Sequence, residues 1–446
     1  MNTVPFIKNG LRALLFTLLL SLLALPSFAQ ATDATANAEA DFEAALFGMG
    51  ENAAEGDGAG GTSEVSSVFD NFSINTQSED IARTEYLVGG TVVARAGGTL
   101  LGGGDGYIVN SGASGKLFGK VSVPDYGALY IAYNIAHDFF QGADVEGQSP
   151  PASDPYEPRY ALSELHYSFD IDKKVFIRLG NQLIAWGPSR IWTPVDFINL
   201  EKADAFSEID ARQGKPALRI HVPFRSSNIF LFTDFSEMSD NGSVGDPVER
   251  AKLGGRFDFT GGDFEFGASA YGGKESQVRF GLDASGRLLG MTVYGEGAYA
   301  PNYDDYSASF LASLGFSRSL GELKRWTLSS ETFYNSRGKS LKKYDAISYQ
   351  ALDADKKTPL YQGELYTYLA LSADKLFSDY LSTTASALAN FSELSYNIKL
   401  AESISLPRAV PFTVSLNYYG GPKNTEFTRF AGDGAVSLSL TSRLEF

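Results

Sequence analysis

The 446-residue chain has 53 acidic and 37 basic side chains, a formal net charge of −16, which argues against nucleic acid as a partner and against a polybasic membrane patch. With no cysteine, disulfides, thiolate metal sites and a lipid-modified cysteine after an export signal are all excluded. A mean hydropathy of −0.12 with no long apolar run beyond residue 30 excludes a helical membrane protein. It does not exclude a transmembrane barrel, whose strands alternate apolar and polar residues and average out on any hydropathy scale.

At the amino terminus Lys8 and Arg12 precede an apolar run from Ala13 to Leu25, followed by Pro26, Ser27, Phe28 and Ala29. This pattern predicts a signal peptide over 1–29, cleaved after Ala29. Its apolar stretch is shorter than the roughly 20 residues of a spanning helix. Residues 30–83 read as a flexible periplasmic leader. Its first part is rich in Ala, Gly, Asp and Glu, and it carries a short apolar, helical island over 42–49 formed by Phe42, Leu46, Phe47 and Met49. The island either plugs something or belongs to a leader that hands the chain to the folding machinery.

From residue 84 to 446, strand-like stretches of about ten residues recur, the length a tilted strand needs to cross the hydrocarbon. They fall at 84–96, 114–123, 126–137, 160–170, 174–186, 216–224, 227–235, 251–259 and 263–272. The second half continues with 275–283, 287–299, 307–317, 324–335, 362–373, 380–391, 394–403, 410–419 and 434–446. Short turns at 124–126, 171–173, 225–226, 260–262, 283–286, 319–323 and 406–410 largely alternate with long polar stretches. The long ones are 97–113, 138–159, 187–215, 236–250, 336–361 and 420–433. That asymmetry predicts an all-β fold, a transmembrane antiparallel β-barrel of 16–18 strands, with 18 the expected number. Short turns and both barrel ends face the periplasm, and the long loops face outward. The 32 Phe, 23 Tyr and 46 Gly fit aromatic girdles and close strand packing.

Within the hairpin at 275–299, Val278, Phe280 and Leu282 alternate with Gln277, Arg279 and Asp283. After an expected turn at Asp283–Gly286, Leu289, Met291 and Val293 alternate with Thr292, Tyr294 and Glu296. Acidic residues at every second place of a membrane strand are costly unless they face water, so the polar face is expected to line an aqueous lumen. Eighteen strands leave that lumen wide enough for a solute pathway.

Residues 178–199 stand apart. Leu165, Tyr167 and Phe169 alternate with Glu164, His166 and Ser168, and past a turn Val175, Ile177 and Leu179 alternate with Arg178, Gly180 and Gln182. If the turn pairs His166 with Arg178, then Glu164, Arg178 and Gln182 share one lumenal patch, with space left by Gly180. Beyond Trp186 and Gly187 the chain meets Pro188 and Pro194 and cannot continue as a central strand. The loop 187–215 is therefore expected to fold inward and narrow the pore, with Arg190, Asp196, Glu201, Lys202 and Asp204 as its charges. Their mixed signs do not assign a selectivity. The competing reading makes Trp186 and Trp192 interface-belt aromatics and the Pro and Asp mere turn formers. Gly180, Gln182, Trp186, Gly187, Pro194 and Asp196 resemble the G-x-Q-x-x-x-W-G…P-x-D segment of porin-like outer-membrane families, some grouped near alginate-export porins. Such families commonly have Arg where this chain has Asn181. The resemblance implies a porin and leaves the solute open.

The last strand alternates Val436, Leu438, Leu440, Ser442, Leu444 and Phe446 with Ser437, Ser439, Thr441, Arg443 and Glu445. Its apolar face, with Leu440, Leu444 and the terminal Phe446, resembles the signal read by the machinery that assembles outer-membrane barrels. His137, His166 and His221 have no metal-ligand spacing, and no nucleophile elbow or Walker-type loop is present. The glycines of 97–106 read as a mobile loop. No cofactor, no metal site and no enzyme activity are expected. Asp304 with Asp305, or Asp240 with Asp246, could hold calcium, with solvated loop charge as the default.

The sequence thus predicts an exported outer-membrane channel for passive diffusion of small hydrophilic solutes, with Glu164, His166, Arg178, Gln182, Trp186, Arg190, Trp192 and Asp196 lining or narrowing it. Its partners would be outer-membrane lipid, lipopolysaccharide, the barrel-assembly machinery and small hydrophilic solutes, and it would act either as a monomer or as a homotrimer. Three rivals predict different outcomes: a hydrophobic-substrate transporter with an N-terminal hatch, a plugged structural or adhesive surface barrel, and a barrel enzyme built on His166 with Glu164.

Overall fold

A computed structural model describes residues 84–104, 106–145, 157–198, 212–236, 250–302, 308–338 and 363–446, apart from 275, 322–324, 408, 424 and 429–431. The strands in chain order are β1 Glu85–Leu100, β2 Gly106–Val123, β3 Gly127–Val145, β4 Arg159–Ile171, β5 Val175–Gln182, β6 Lys215–Phe224, β7 Ser227–Asp234, β8 Lys252–Gly261 and β9 Phe264–Gly273. They continue with β10 Ser276–Leu288, β11 Met291–Ala300, β12 Ser309–Leu320, β13 Trp326–Asn335, β14 Leu365–Asp374, β15 Leu381–Asn390, β16 Ser395–Ile404, β17 Phe412–Gly420 and β18 Ala435–Glu445. Each strand pairs antiparallel with its chain neighbours, and β1 pairs with β18, so the 18-stranded sheet closes on itself. At the seam Phe446 N donates to Gly90 O at 3.1 Å and Gly90 N to Phe446 O at 2.9 Å. Closure leaves no edge for another chain to pair with.

Burial is inverted relative to a soluble protein. On β3, Leu129, Ile131, Tyr133 and Ile135 are exposed, whereas Tyr130 and Ala132 are buried. Outward-facing Leu282 on β10 and Leu314 on β12 are 68% and 69% exposed, while inward-facing Glu164, Glu296 and Glu331 are 3%, 4% and 1% exposed. Period-two alternation places the two sets on opposite faces of one sheet. An apolar exterior around a polar interior is what a lipid-embedded cylinder requires. Leu282 lies opposite Ala268 and Gly297, well inside the wall. In phospholipid, Leu282→Arg is expected to lower stability by about 2–4 kcal/mol, read from urea unfolding. On a water-facing wall the change would stay within about 0.5 kcal/mol.

Several boundaries differ from the sequence reading. The chain does not turn at 283–286; β10 runs on to Leu288, and the turn is Leu289–Gly290, with φ of 52° and 72°. The Asp-Ala-Ser-Gly signal is overridden because the alternation carries through it. Asp283 faces inward to the Arg256 guanidinium, with Nη1 to Oδ2 at 2.6 Å and Nη2 to Oδ1 at 2.9 Å. The stretch 97–113 is mostly strand, and the expected mobile glycine loop at 97–106 contracts to a turn of 3-10 helix at Gly102–Gly104. β5 stops at Gln182 rather than at 186. The β4–β5 register is also shifted: His166 pairs with Gly180 and Ser168 with Arg178, in place of the expected His166 with Arg178. The segments 1–29, 30–83 and the calcium candidates Asp240, Asp246, Asp304 and Asp305 lie outside the described residues.

Candidate lumenal constriction

β4 and β5 present one polar row to the lumen. Glu164 accepts from Lys116 Nζ at 2.9 Å and from the Leu183 amide at 3.1 Å. His166 Nε2 lies 3.9 Å from Glu164 Oε2, and its ring stacks on Tyr130 at 5.0 Å between centroids. Arg178 Nε donates to Ser168 Oγ at 3.2 Å, and Gln182 Nε2 to the Ala217 carbonyl at 3.0 Å. All four lie on one face of β4 and β5, but the single patch expected of Glu164, Arg178 and Gln182 does not form as expected, because Arg178 sits opposite Ser168, four residues along β4 from Glu164. The shifted register gives Gly180 its purpose. It lies opposite His166 with φ of 129°, and a Cβ there would overlap the Leu165 carbonyl oxygen and come within 2.8 Å of His166 Cα. Arg178 also faces Arg219 across the strands, 2% and 8% exposed. Ser168 is 0% exposed, with its hydroxyl 3.5 Å from His166 Nδ1.

Past Gln182 the chain leaves the wall, and its amides find partners on strands six to eight places away in chain order. Ser189 N donates to Glu296 Oε1 at 2.7 Å and Val195 N to Glu296 Oε2 at 3.1 Å. Arg190 N reaches Glu331 Oε2 at 3.0 Å, Ile191 N lies 3.2 Å from each Glu331 oxygen, and Trp192 N reaches Oε1 at 2.7 Å. Ser189 Oγ and Ser313 Oγ share a hydrogen bond of 2.5 Å. A segment that leaves β5 and bonds to the inner faces of β11, β12 and β13 lies inside the cylinder.

Apolar packing fixes the same segment. Trp186 is 7% exposed and meets Phe197 and Phe232 edge-on at 6.5 and 5.2 Å, in a cluster with Ile184, Val195, Ile198, Tyr271 and Ala298. Trp192, 1% exposed, stacks on Phe333 at 5.6 Å with an interplanar angle of 6° and sits by Tyr366 and Leu388. Both indoles are thus buried within the barrel, and neither belongs to a lipid-interface belt. Asp196 is buried and accepts from Arg212 Nη1 at 3.1 Å. Arg190 is exposed, with its guanidinium 5.9 Å from the Tyr294 ring centroid. Glu201, Lys202 and Asp204 lie outside the described residues.

Two features escaped the sequence reading. Glu331 carried no motif, and Glu296 was expected to face water. Instead both carboxylates accept backbone N–H groups of the inward segment, a second way to make an acidic residue tolerable inside a membrane wall. The other is the β17–β18 connection. Glu426 Oε2 accepts from Tyr366 Oη at 2.6 Å and from Asn390 Nδ2 at 2.8 Å, while Glu426 N donates to buried Glu393 at 2.6 Å. Phe427 then packs on the Trp192, Phe333, Tyr366 and Leu388 cluster. The signal for this was a pair of aromatics, Phe427 and Phe430, within a largely polar connection. Among the described residues no group of three or more His, Asp or Glu is placed to hold a metal ion.

Fold and site together define a class: a closed 18-stranded antiparallel barrel with an apolar outer wall and a segment of its own chain anchored across the lumen. No protein-family description matches the chain. No curated protein is similar to it by sequence. Solved structures do resemble it. A BenF-like porin from Pseudomonas fluorescens Pf-5 superposes with a TM-score of 0.52 at 9% identity, over 81% of this chain and 98% of that one. OccAB1 of Acinetobacter baumannii gives 0.50 at 9% identity, over 80% and 96%. At such identities the likeness is one of fold: this chain has the barrel architecture of a porin.

Proposed function

We propose that the protein is an outer-membrane channel through which small hydrophilic solutes diffuse passively, and that the segment from Gly187 to Ile198 is its constriction. The observation that carries this reading is the seating of that segment. Glu296 takes the amides at its two flanks, Ser189 and Val195, and Glu331 takes those between, from Arg190 to Trp192, with Trp186 and Trp192 buried against the wall. A barrel of 16 to 18 strands leaves an aqueous lumen unless something enters it. A loop held by backbone bonds narrows that lumen at a fixed depth, and Arg190 is the charged side chain that the described part of the loop exposes. Glu164, His166, Arg178 and Gln182 line the wall from which the loop departs, and Asp196 with Arg212 stiffens its far end. Export through a signal peptide over 1–29 and assembly signalled by Leu440, Leu444 and Phe446 belong to the same proposal.

The test is single-channel recording of the purified, refolded protein in a planar bilayer. Discrete ion-passing steps that scale with salt concentration are the expected result. An electrically silent but folded barrel would overturn the channel reading and favour a plugged surface barrel.

A further inference from the structure

Most polypeptide loops satisfy their amides within themselves or with water, since a buried N–H without a partner is strongly disfavoured. The segment at 189–195 does neither. The amides of Ser189, Arg190, Ile191, Trp192 and Val195 all point away from the loop's own backbone and end on two side chains of the wall. Both oxygens of Glu331 are used, Oε1 by Ile191 and Trp192 and Oε2 by Arg190, Ile191 and the Tyr294 hydroxyl at 3.0 Å. Both oxygens of Glu296 are used as well, one by Ser189 and one by Val195. Gly187 lies so close to Glu296 that a Cβ there would overlap the carboxylate.

We propose that Glu331 and Glu296 are positioning residues of the channel: an acidic clamp that grips the constricting loop by its main chain, so that the wall, rather than the loop's side chains, sets the open cross-section. This rests on the channel reading above. The chemistry is specific to carboxylates, because a carboxylate is acceptor-only at both oxygens. A glutamine in either place would turn an NH2 group towards amide N–H donors and leave at least one of them unsatisfied.

The absence of native cysteine makes the test direct. Spin labels at Arg190→Cys, whose clamp bond comes from its backbone, and at Leu289→Cys, 81% exposed on a turn of the opposite rim, report the loop-to-wall distance. One narrow distribution is expected with the clamp intact. A broad and displaced one is expected in Glu331→Gln/Glu296→Gln, together with single-channel steps enlarged by about twofold and an unchanged far-UV spectrum. Identical distance distributions in the two proteins would overturn the clamp. If the distances change but neither protein conducts, the clamp stands and the channel reading falls. Should the double variant fail to fold, hydrogen exchange of the unaltered protein decides: amides 189–192 exchanging as slowly as strand amides support the clamp, and exchange at loop rates overturns it.

Discussion

Replacing residues 187–197 by a short Gly-Ser linker is expected to raise the single-channel conductance about twofold or more, because it removes a segment anchored inside the 18-stranded barrel. The replacement takes away Trp192 and Val195, which are 1% and 0% exposed, and with them the bulk that fills the space before Phe333, Tyr366 and Tyr271. Trp186 remains but loses Phe197 as a neighbour. Glu296 and Glu331 lose their amide donors but gain lumenal water, which solvates a carboxylate well, so the barrel itself is expected to persist. The size limit for sugars in liposome swelling should rise in parallel. An unaltered step size would mean that the narrowest point lies elsewhere, the β17–β18 connection with Phe427 being the next candidate.

Gly180→Val should instead act on the wall, and severely. The position holds φ of 129°, a region that a β-branched residue adopts only with strain of about 1–3 kcal/mol. The added Cβ would also meet the Leu165 carbonyl and His166 Cα, backbone atoms that cannot swing aside. Overpacking of this kind adds about 1–3 kcal/mol. A total of about 3 kcal/mol or more is therefore expected in urea unfolding followed by tryptophan fluorescence. Trp186 lies on the segment just beyond β5 and is expected to report the loss of β4–β5 pairing. Gly180→Ala, with the same Cβ but no branching, should show a smaller part of the effect, and equal losses would assign it to the overlap alone.

The barrel was legible because its signal is repeated eighteen times. Leu165, Tyr167 and Phe169 among Glu164, His166 and Ser168, or Val278, Phe280 and Leu282 among Gln277, Arg279 and Asp283, are local votes for the same period-two pattern, and turns of alternating length sort the strand ends. Boundaries were harder to place. The glycines from Gly97 onwards suggested a loop, yet cross-strand bonds to β2 and β18 extend β1 to Leu100. Asp283–Gly286 has turn chemistry, but a bidentate bond to Arg256 outweighs that local preference. The inward loop was visible in Pro188 and Pro194, which forbid a strand. Its anchors were not, because nothing in one dimension links Glu331 to Trp192. The carboxylate is recognisable as a receptor for amides only when the lumen has brought the two together. The same holds for Glu426 with Tyr366 and Asn390.

The bond between the Arg190 amide and Glu331 joins positions 141 residues apart. A contact this distant in sequence needs both partners already brought together by the sheet, so the inward segment takes its seat only when β11 and β13 stand in the wall. Its position is therefore tied to the long-range order of the barrel rather than to its own neighbours in the chain.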